Sequence, residues 1–199
     1  MKVVLASNNP GKLHEFEKLF ASTSIDIIPQ GQLHVPEVDE TGLTFVENAI
    51  LKARNACVHT GLPAIADDTG LVVDALNGKP GIYSARFAGK GAGSQTYSQK
   101  LLEVMRDVPS EKRQAFFACV MVFMAHSEEP LPLVSQATWE GSILEKAVGQ
   151  NGFGYDPVFY VKDKGCAAAQ LERDEKNRIS HRGKAMRGLI EQLRAHGVL

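Results

Sequence analysis

Two long β-prone runs, residues 115–125 (AFFACVMVFMA) and 133–145 (LVSQATWEGSILE), constrain this chain more than any other feature. Rich in β-branched and aromatic residues and parted only by His126-Ser127-Glu128-Glu129-Pro130, they read as a hairpin. The N-terminal half supplies different pieces. Residues 2–6 (KVVLA) read as a short buried strand, and residues 11–21 set Leu13, Phe16, Leu19 and Phe20 at helical spacing. A second short strand follows at 25–28. A helix then starts after Thr44, where T-F-V-E forms a capping box and Val46, Ala49, Ile50, Ala53 and Cys57 form an apolar stripe. Glu47, Asn48, Leu51, Lys52 and Asn55 fall off that stripe. Helices alternating with strands early and a hairpin late predict an α/β fold with a mixed sheet.

The rest of the chain reads as connections and a helical end. Residues 64–76 give two apolar runs interrupted by an Asp67-Asp68-Thr69-Gly70 turn, and 78–94 form a glycine-rich loop leading to a helix at 95–107. Gly149 to Asp156 make a second glycine-rich loop, feeding a strand at 157–161. A charged helical segment near 167–177, a turn from Ile179 to Gly183 and an amphipathic helix to about residue 196 complete the reading. No repeat, low-complexity tract or linker divides the chain. With 199 residues, 44% of them hydrophobic, it suits a single domain, 1–199.

Charge and cysteine usage exclude several function classes. The net charge is -1, so no overall field recruits nucleic acid or an anionic membrane, and an anionic ligand needs a local positive cluster. Cys57, Cys119 and Cys166 are odd in number and lack C-x-x-C spacing, which fits a reduced, cytoplasmic setting. No segment reaches the roughly 18 to 20 apolar residues of a membrane helix.

Five stretches carry candidate chemistry. Ser7-Asn8-Asn9-Pro10-Gly11-Lys12 joins a strand to a helix. It is not a Walker A loop, because Ala6 stands where the first glycine belongs and Leu13 where the magnesium-binding hydroxyl belongs. A helix N-terminus with a lysine in its first turn still suits a phosphate; the alternative is a polar turn. Asp67 and Asp68 follow an apolar run, and carboxylates there suit Mg²⁺ or simply a turn; side chains alternate along a strand, so one of the pair faces a given site. Glu37, Asp39 and Glu40 form an acidic cluster that matters only if Glu40 reaches Asp68. Asn151 to Pro157 sets two glycines around Phe153, which can stack on a planar base or pack in a core. Lys176, Ser180, His181 and Arg182 gather donors before the last helix, with Ser180 as its N-cap.

Taken together and in order, the motifs S-x-N-x-x-K, E-T-G-x-T-F-x-E-N-A-x-x-K-A, A-D-D-T-G-L, P-G-I-Y-S-A-R, G-F-G-Y-D-P and E-K-x-x-x-S-H-R resemble those of the inosine triphosphate pyrophosphatase family from Val3 to about Leu193. Its members hydrolyse non-standard purine nucleoside triphosphates (ITP, dITP, XTP) to the monophosphate and pyrophosphate. The resemblance implies an elongated mixed sheet with two lobes around a cleft that holds the active site, Mg²⁺ dependence and a homodimer. It makes Ser7, Asn8, Asn9, Pro10, Gly11 and Lys12 a triphosphate loop. Asp68 becomes proton acceptor and metal ligand, Glu40 the second metal carboxylate, and Lys52 a phosphate partner. Thr69, Phe153, Gly154, Tyr155, Asp156, Lys176, His181 and Arg182 fall at nucleotide-binding positions.

Two departures stand out. Many relatives read T-G-N where this chain has Ser7-Asn8-Asn9, and some have Ser at the position of Thr69; a hydroxyl survives in both cases, and Asn tolerates a positive φ better than most residues. Donors from the His181-Arg182 turn would donate to the 6-oxygen of hypoxanthine or xanthine and mismatch adenine's amino group. Three other readings compete: a nucleotide sensor that does not cleave, a Maf-type pyrophosphatase acting on modified pyrimidine nucleotides, and a P-loop kinase or GTPase, which the motif mismatch disfavours.

Overall fold

The computed structural model describes residues 1–21, 23–89 and 94–199; positions 90–93 of the expected glycine-rich loop lie outside them. Seven strands form one sheet: β1 (Lys2–Leu5), β2 (Asp26–Pro29), β3 (Ala64–Val73), β4 (Gln114–Met124), β5 (Leu133–Ile143), β6 (Phe159–Val161) and β7 (Cys166–Ala167), in the order β2-β1-β3-β4-β5-β6-β7. β1 runs parallel to β2 and β3, with Val4 opposite Ile28 and Ala64, whereas β6 is antiparallel to β5 and β7. The sheet is therefore mixed, as expected. The helices are α1 (Pro10–Phe20), α2 (Phe45–Thr60), α3 (Ser94–Val104), α4 (Arg173–Ile179) and α5 (His181–Ala195).

The chain divides into two compact units. The first comprises Met1–Asp68, Cys119–Gln136 and Ala185–Leu199. Its core forms where α2 lays Ala49, Ala53, Ala56 and Cys57 against residues two apart along the chain: Val4 in β1 and Ala6 just beyond it, Ala64 and Ala66, and Val120, Val122 and Met124. Side chains alternate across a strand, so each of these sets shares one face. The small helix residues let α2 approach closely. Thr44 caps α2 by accepting from the Glu47 amide at 3.3 Å, while the Glu47 carboxylate accepts from the Thr44 hydroxyl at 2.8 Å and the Leu43 amide at 2.9 Å. These bonds hold the Glu47 carboxyl below its usual pKa, that to Thr44 first.

The second unit comprises Thr69–Ala118 and Ala137–Lys184. Its core is aromatic: Phe117, Trp139, Tyr155 and Phe159 pack with Leu71, Leu101 and Met105. Burying rings of this size contributes most of the apolar area in such a cluster.

Several local expectations need correction. Asp67-Asp68-Thr69-Gly70 is not a turn; β3 runs through it without a break. Both carboxylates meet a lysine there, and that pairing overrides the turn preference of the sequence. Asn48 is fully buried rather than off the α2 stripe, because its Oδ1 accepts from the Gly42 amide at 2.8 Å. The segment near 167–177 becomes helical only at Arg173, and α5 starts at His181, two residues before the expected turn ends.

Candidate active site

Two clusters gather the residues singled out from the sequence, one in each unit. In the first unit, α1 begins with Asn9 as N-cap, its Oδ1 accepting from the amides of Gly11 at 2.9 Å and Lys12 at 3.2 Å. Pro10 occupies the first turn, where its missing N–H costs nothing. The Ser7 hydroxyl accepts from the Asn9 amide at 3.2 Å, and the Asn8 carboxamide donates to Glu37 at 3.2 Å. Two of the helix-end donors are thus already engaged by Asn9. Lys12, whose charge opposes the helix dipole, meets its anion inside the protein: its Nζ lies 2.7 Å from Oδ2 of Asp67, whose side chain is fully buried.

The next residue of β3 turns to a different lysine. Lys52, on α2, sets its Nζ 2.9 Å from Oδ1 of Asp68 and 2.8 Å from Oε1 of Glu40. Glu40 does reach Asp68's surroundings, because one ammonium joins both. The loop that carries Glu40 is fixed by the Gly42–Asn48 bond and by close approach. A Cβ on Gly42 would stand 2.5 Å from Cβ of Glu47 and 2.7 Å from Oδ1 of Asn48.

Glu40, Asp67 and Asp68 meet the ammonium groups of Lys12 and Lys52. Burial raises the Asp68 carboxyl above its ordinary pKa, Lys52 opposes that rise, and Glu40 and Asp67 add to it. The carboxylates, Asp68 foremost, outweigh the effect of burial on Lys52 and keep it firmly cationic. Asp68 Oδ2 is buried and accepts no hydrogen bond from any described residue. A buried carboxylate oxygen without a hydrogen-bond donor, with the Glu40 carboxylate on the same lysine, fits a divalent cation. Among the described residues no group of three or more His, Cys, Asp or Glu forms a cage. Mg²⁺ is commonly held by one or two carboxylates together with waters and phosphate oxygens, so Asp68 and Glu40 suffice.

The second unit holds the other cluster. Asp156, buried, accepts at Oδ2 from the Phe153 amide at 2.7 Å and from Lys176 Nζ at 2.5 Å. Gly152, with φ +75°, makes the turn, and a Cβ there would stand 2.1 Å from Asp156 Oδ2. The loop therefore wraps the carboxylate and pushes the Phe153 ring outward, where it is 47% exposed. Lys176 Nζ lies 5.2 Å and the Arg182 guanidinium 5.8 Å from that ring's centroid. An aromatic face turned out beside two cations suits an electron-rich planar ligand. Tyr155 points the other way: burial pushes its phenol pKa up, and its OH donates to the Ser84 carbonyl at 2.9 Å. Any contact from Tyr155 to a ligand must therefore come from its backbone. The Ser98 hydroxyl donates to the Gly154 carbonyl at 2.8 Å and anchors the loop to α3.

His181 opens α5 behind Ser180, whose hydroxyl accepts from the Gly183 amide at 3.3 Å, the expected N-cap. The imidazole is 6% exposed and stacks on Phe117. Thr69 follows Asp68 directly in β3 and is half-buried.

The sequence model of the Ham1 family matches residues 3–192. The chain belongs to the Ham1 family. A dITP/XTP pyrophosphatase of Photorhabdus laumondii is 54% identical over 97% of this chain and 98% of its own length, and one of Salmonella typhimurium is 53% identical over the same shares. The Ham1 protein structure from Coxiella burnetii superposes with a TM-score of 0.94 at 47% identity, covering 98% of this chain and 99% of that one. A nucleoside-triphosphatase, dITP/XTP pyrophosphatase, from Mycobacterium abscessus gives 0.79 at 40% identity over 95% and 98%.

Within this Ham1 chain, sequence reasoning weighed Asp67 together with Asp68 but not its pairing with Lys12, and it missed two aromatic side chains. Phe117 and Trp139, which flank His181, read as plain strand residues. A groove of about 520 Å³ lined by Gln99, Leu102, Glu103, Arg106, Arg113 and Glu145 contains none of the candidate residues.

Proposed function

We propose that this protein is a Mg²⁺-dependent pyrophosphatase that hydrolyses ITP, dITP and XTP to the monophosphate and pyrophosphate, keeping these nucleotides out of DNA and RNA. The observation that carries the reading is the Glu40–Lys52–Asp68 triad with its unpaired Asp68 Oδ2, supported by dITP/XTP pyrophosphatases more than half identical over nearly the whole chain.

The first unit handles the phosphates. Asp68 and Glu40 would hold Mg²⁺, which when bound neutralises phosphate charge and orients the triphosphate. Lys12 and Lys52 add fixed positive charge, and the Ser7–Lys12 loop supplies a hydroxyl and a helix N-terminus to the phosphate tail. Asp68 orients a water and takes its proton as the water oxygen bonds to the α-phosphorus. The bond from that phosphorus to the bridging oxygen breaks, and pyrophosphate leaves.

The second unit reads the base. Phe153 offers a stacking face, Asp156 and Lys176 hold the loop that carries it, and His181 and Arg182 supply donors for the 6-oxygen. Adenine, with an amino group there, leaves those donors unpaired. Thr69 and the backbone of Gly154 and Tyr155 complete the nucleotide contacts. A cytoplasmic homodimer belongs to the same proposal, and three free cysteines accord with a reducing compartment.

Pyrophosphate release with Mg²⁺ from ITP, dITP, XTP, GTP, ATP and a modified pyrimidine triphosphate tests the reading. ITP, dITP and XTP should lead, and Asp68→Asn should lower kcat by about 10²-fold or more. Tight binding without release would make the protein a sensor. A pyrimidine preference would overturn the base assignment, and near wild-type turnover of the variant would remove Asp68 from catalysis.

A further inference from the structure

We infer that Trp139 and Phe117 are specificity-determining positioning residues, fixing the plane of the His181 ring and so the direction in which it presents a hydrogen-bond donor to the purine. This rests on the proposed role of His181 at the base. The imidazole centroid lies 4.8 Å from that of Phe117 with 10° between the planes, and 6.2 Å from that of Trp139 at 22°. Phe117 and Trp139 are themselves 6.4 Å apart at 25°, so the three rings lie in nearly one orientation. Phe159 wedges against both, 4.6 Å from Phe117 at 53° and 5.3 Å from Trp139 at 49°.

Each contact comes from a different element. Phe117 is on β4, Trp139 on β5, Phe159 on β6 and His181 at the first turn of α5. Trp139 is 5% and Phe117 7% exposed, so neither can swing into water and release its neighbour. An N–H on either imidazole nitrogen lies in the ring plane. A ring that can tilt aims its donor over a cone; a ring pressed flat against Phe117 can aim it only within one plane. Discrimination between a 6-oxo and a 6-amino purine depends on that aim, because a donor directed elsewhere neither rewards the oxygen nor penalises the amino group. Trp139 touches no substrate in this scheme; it acts through His181.

The test compares Trp139→Leu with Trp139→Phe in the full-length protein, measuring kcat and KM for ITP and ATP, with thermal melts alongside. For Trp139→Leu the ratio of kcat/KM for ITP over ATP should fall about tenfold, the scale of one mispositioned polar contact, mainly through a higher KM for ITP. Trp139→Phe, which restores an aromatic face, should recover most of the ratio even if its melting temperature is lowered. If the leucine variant does not fold, Trp139→Met takes its place, since a flexible unbranched chain fills irregular gaps. A ratio equal to wild type in a folded aliphatic variant would overturn the inference while leaving the proposed function intact. So would an equal loss in the phenylalanine variant. Wild-type protein that does not prefer ITP to ATP would instead bring down the base-reading proposal and this inference with it.

Discussion

Under the proposed function, Asp68 would serve stability and chemistry in opposite senses. Its pKa is raised by burial first, with Glu40 and Asp67 adding to the rise and Lys52 opposing it. The folded protein therefore binds this proton more tightly than the unfolded chain does. The group's contribution to stability is greatest below its unfolded pKa and is lost as pH rises through the folded value. At neutral pH the ionised carboxylate is a net burden, and the neutral isostere in Asp68→Asn should melt at the same temperature or higher than wild type even as turnover collapses. The difference in melting temperature should shrink as pH is lowered through the carboxylate range, because wild-type Asp68 then becomes neutral too. Melts of both proteins from pH 4 to 8 check this; a variant less stable throughout would mean that the Lys52 pair outweighs burial. The sequence made Asp68 legible as a candidate, since two adjacent carboxylates after an apolar run are unusual in a strand. It could not show that both remain in β3, because Lys12 and Lys52 come from α1 and α2, far away in the chain.

Elements matter here through the way they end. α2 begins where Thr44 and Glu47 bond one another, and that start was legible because a capping box is a local pattern of fixed spacing. Asn48 was misread for the opposite reason: its burial depends on the preceding loop folding back to Gly42, which helical periodicity does not encode. That loop carries Glu40 two residues earlier. Gly42→Ala would drive a methyl into Glu47 and Asn48, and overpacking of this kind costs about 1–3 kcal/mol. Because the strain falls on the turn beside Glu40, kcat/KM should drop by about tenfold, and the Mg²⁺ concentration for half-maximal rate should rise. Metal titrations of activity, read beside thermal melts, separate the two effects. A destabilised protein with an unchanged metal requirement would show that the Gly42 turn does not position Glu40.

At the scale of the whole molecule, each compact unit is assembled from separated segments, the first from 1–68, 119–136 and 185–199. No linker marks these boundaries, which is why the sequence reads as one domain and why strand order was out of its reach. β1 sits between β2 and β3, an adjacency that no local pattern specifies. The net charge of -1 adds a further constraint: under the proposed function, nucleotide affinity would arise from local lysine and arginine side chains and not from a general field. Ligand-linked stability then measures the clusters directly. Asp68→Asn, which should bind without rapid hydrolysis, gains about 2.7 kcal/mol from a nucleotide at a hundred times its Kd. For a chain of this length that is about 5–10 °C in Tm. ITP with Mg²⁺ should produce such a shift, and ATP at the same concentration a much smaller one, since both carry the same triphosphate and differ at the base. Equal shifts from ITP and ATP would place all recognition on the phosphates and leave the Phe153, His181 and Arg182 cluster without a role in selection. A shift from inorganic pyrophosphate as large as that from ITP would say the same, because it too bypasses the second unit's cluster.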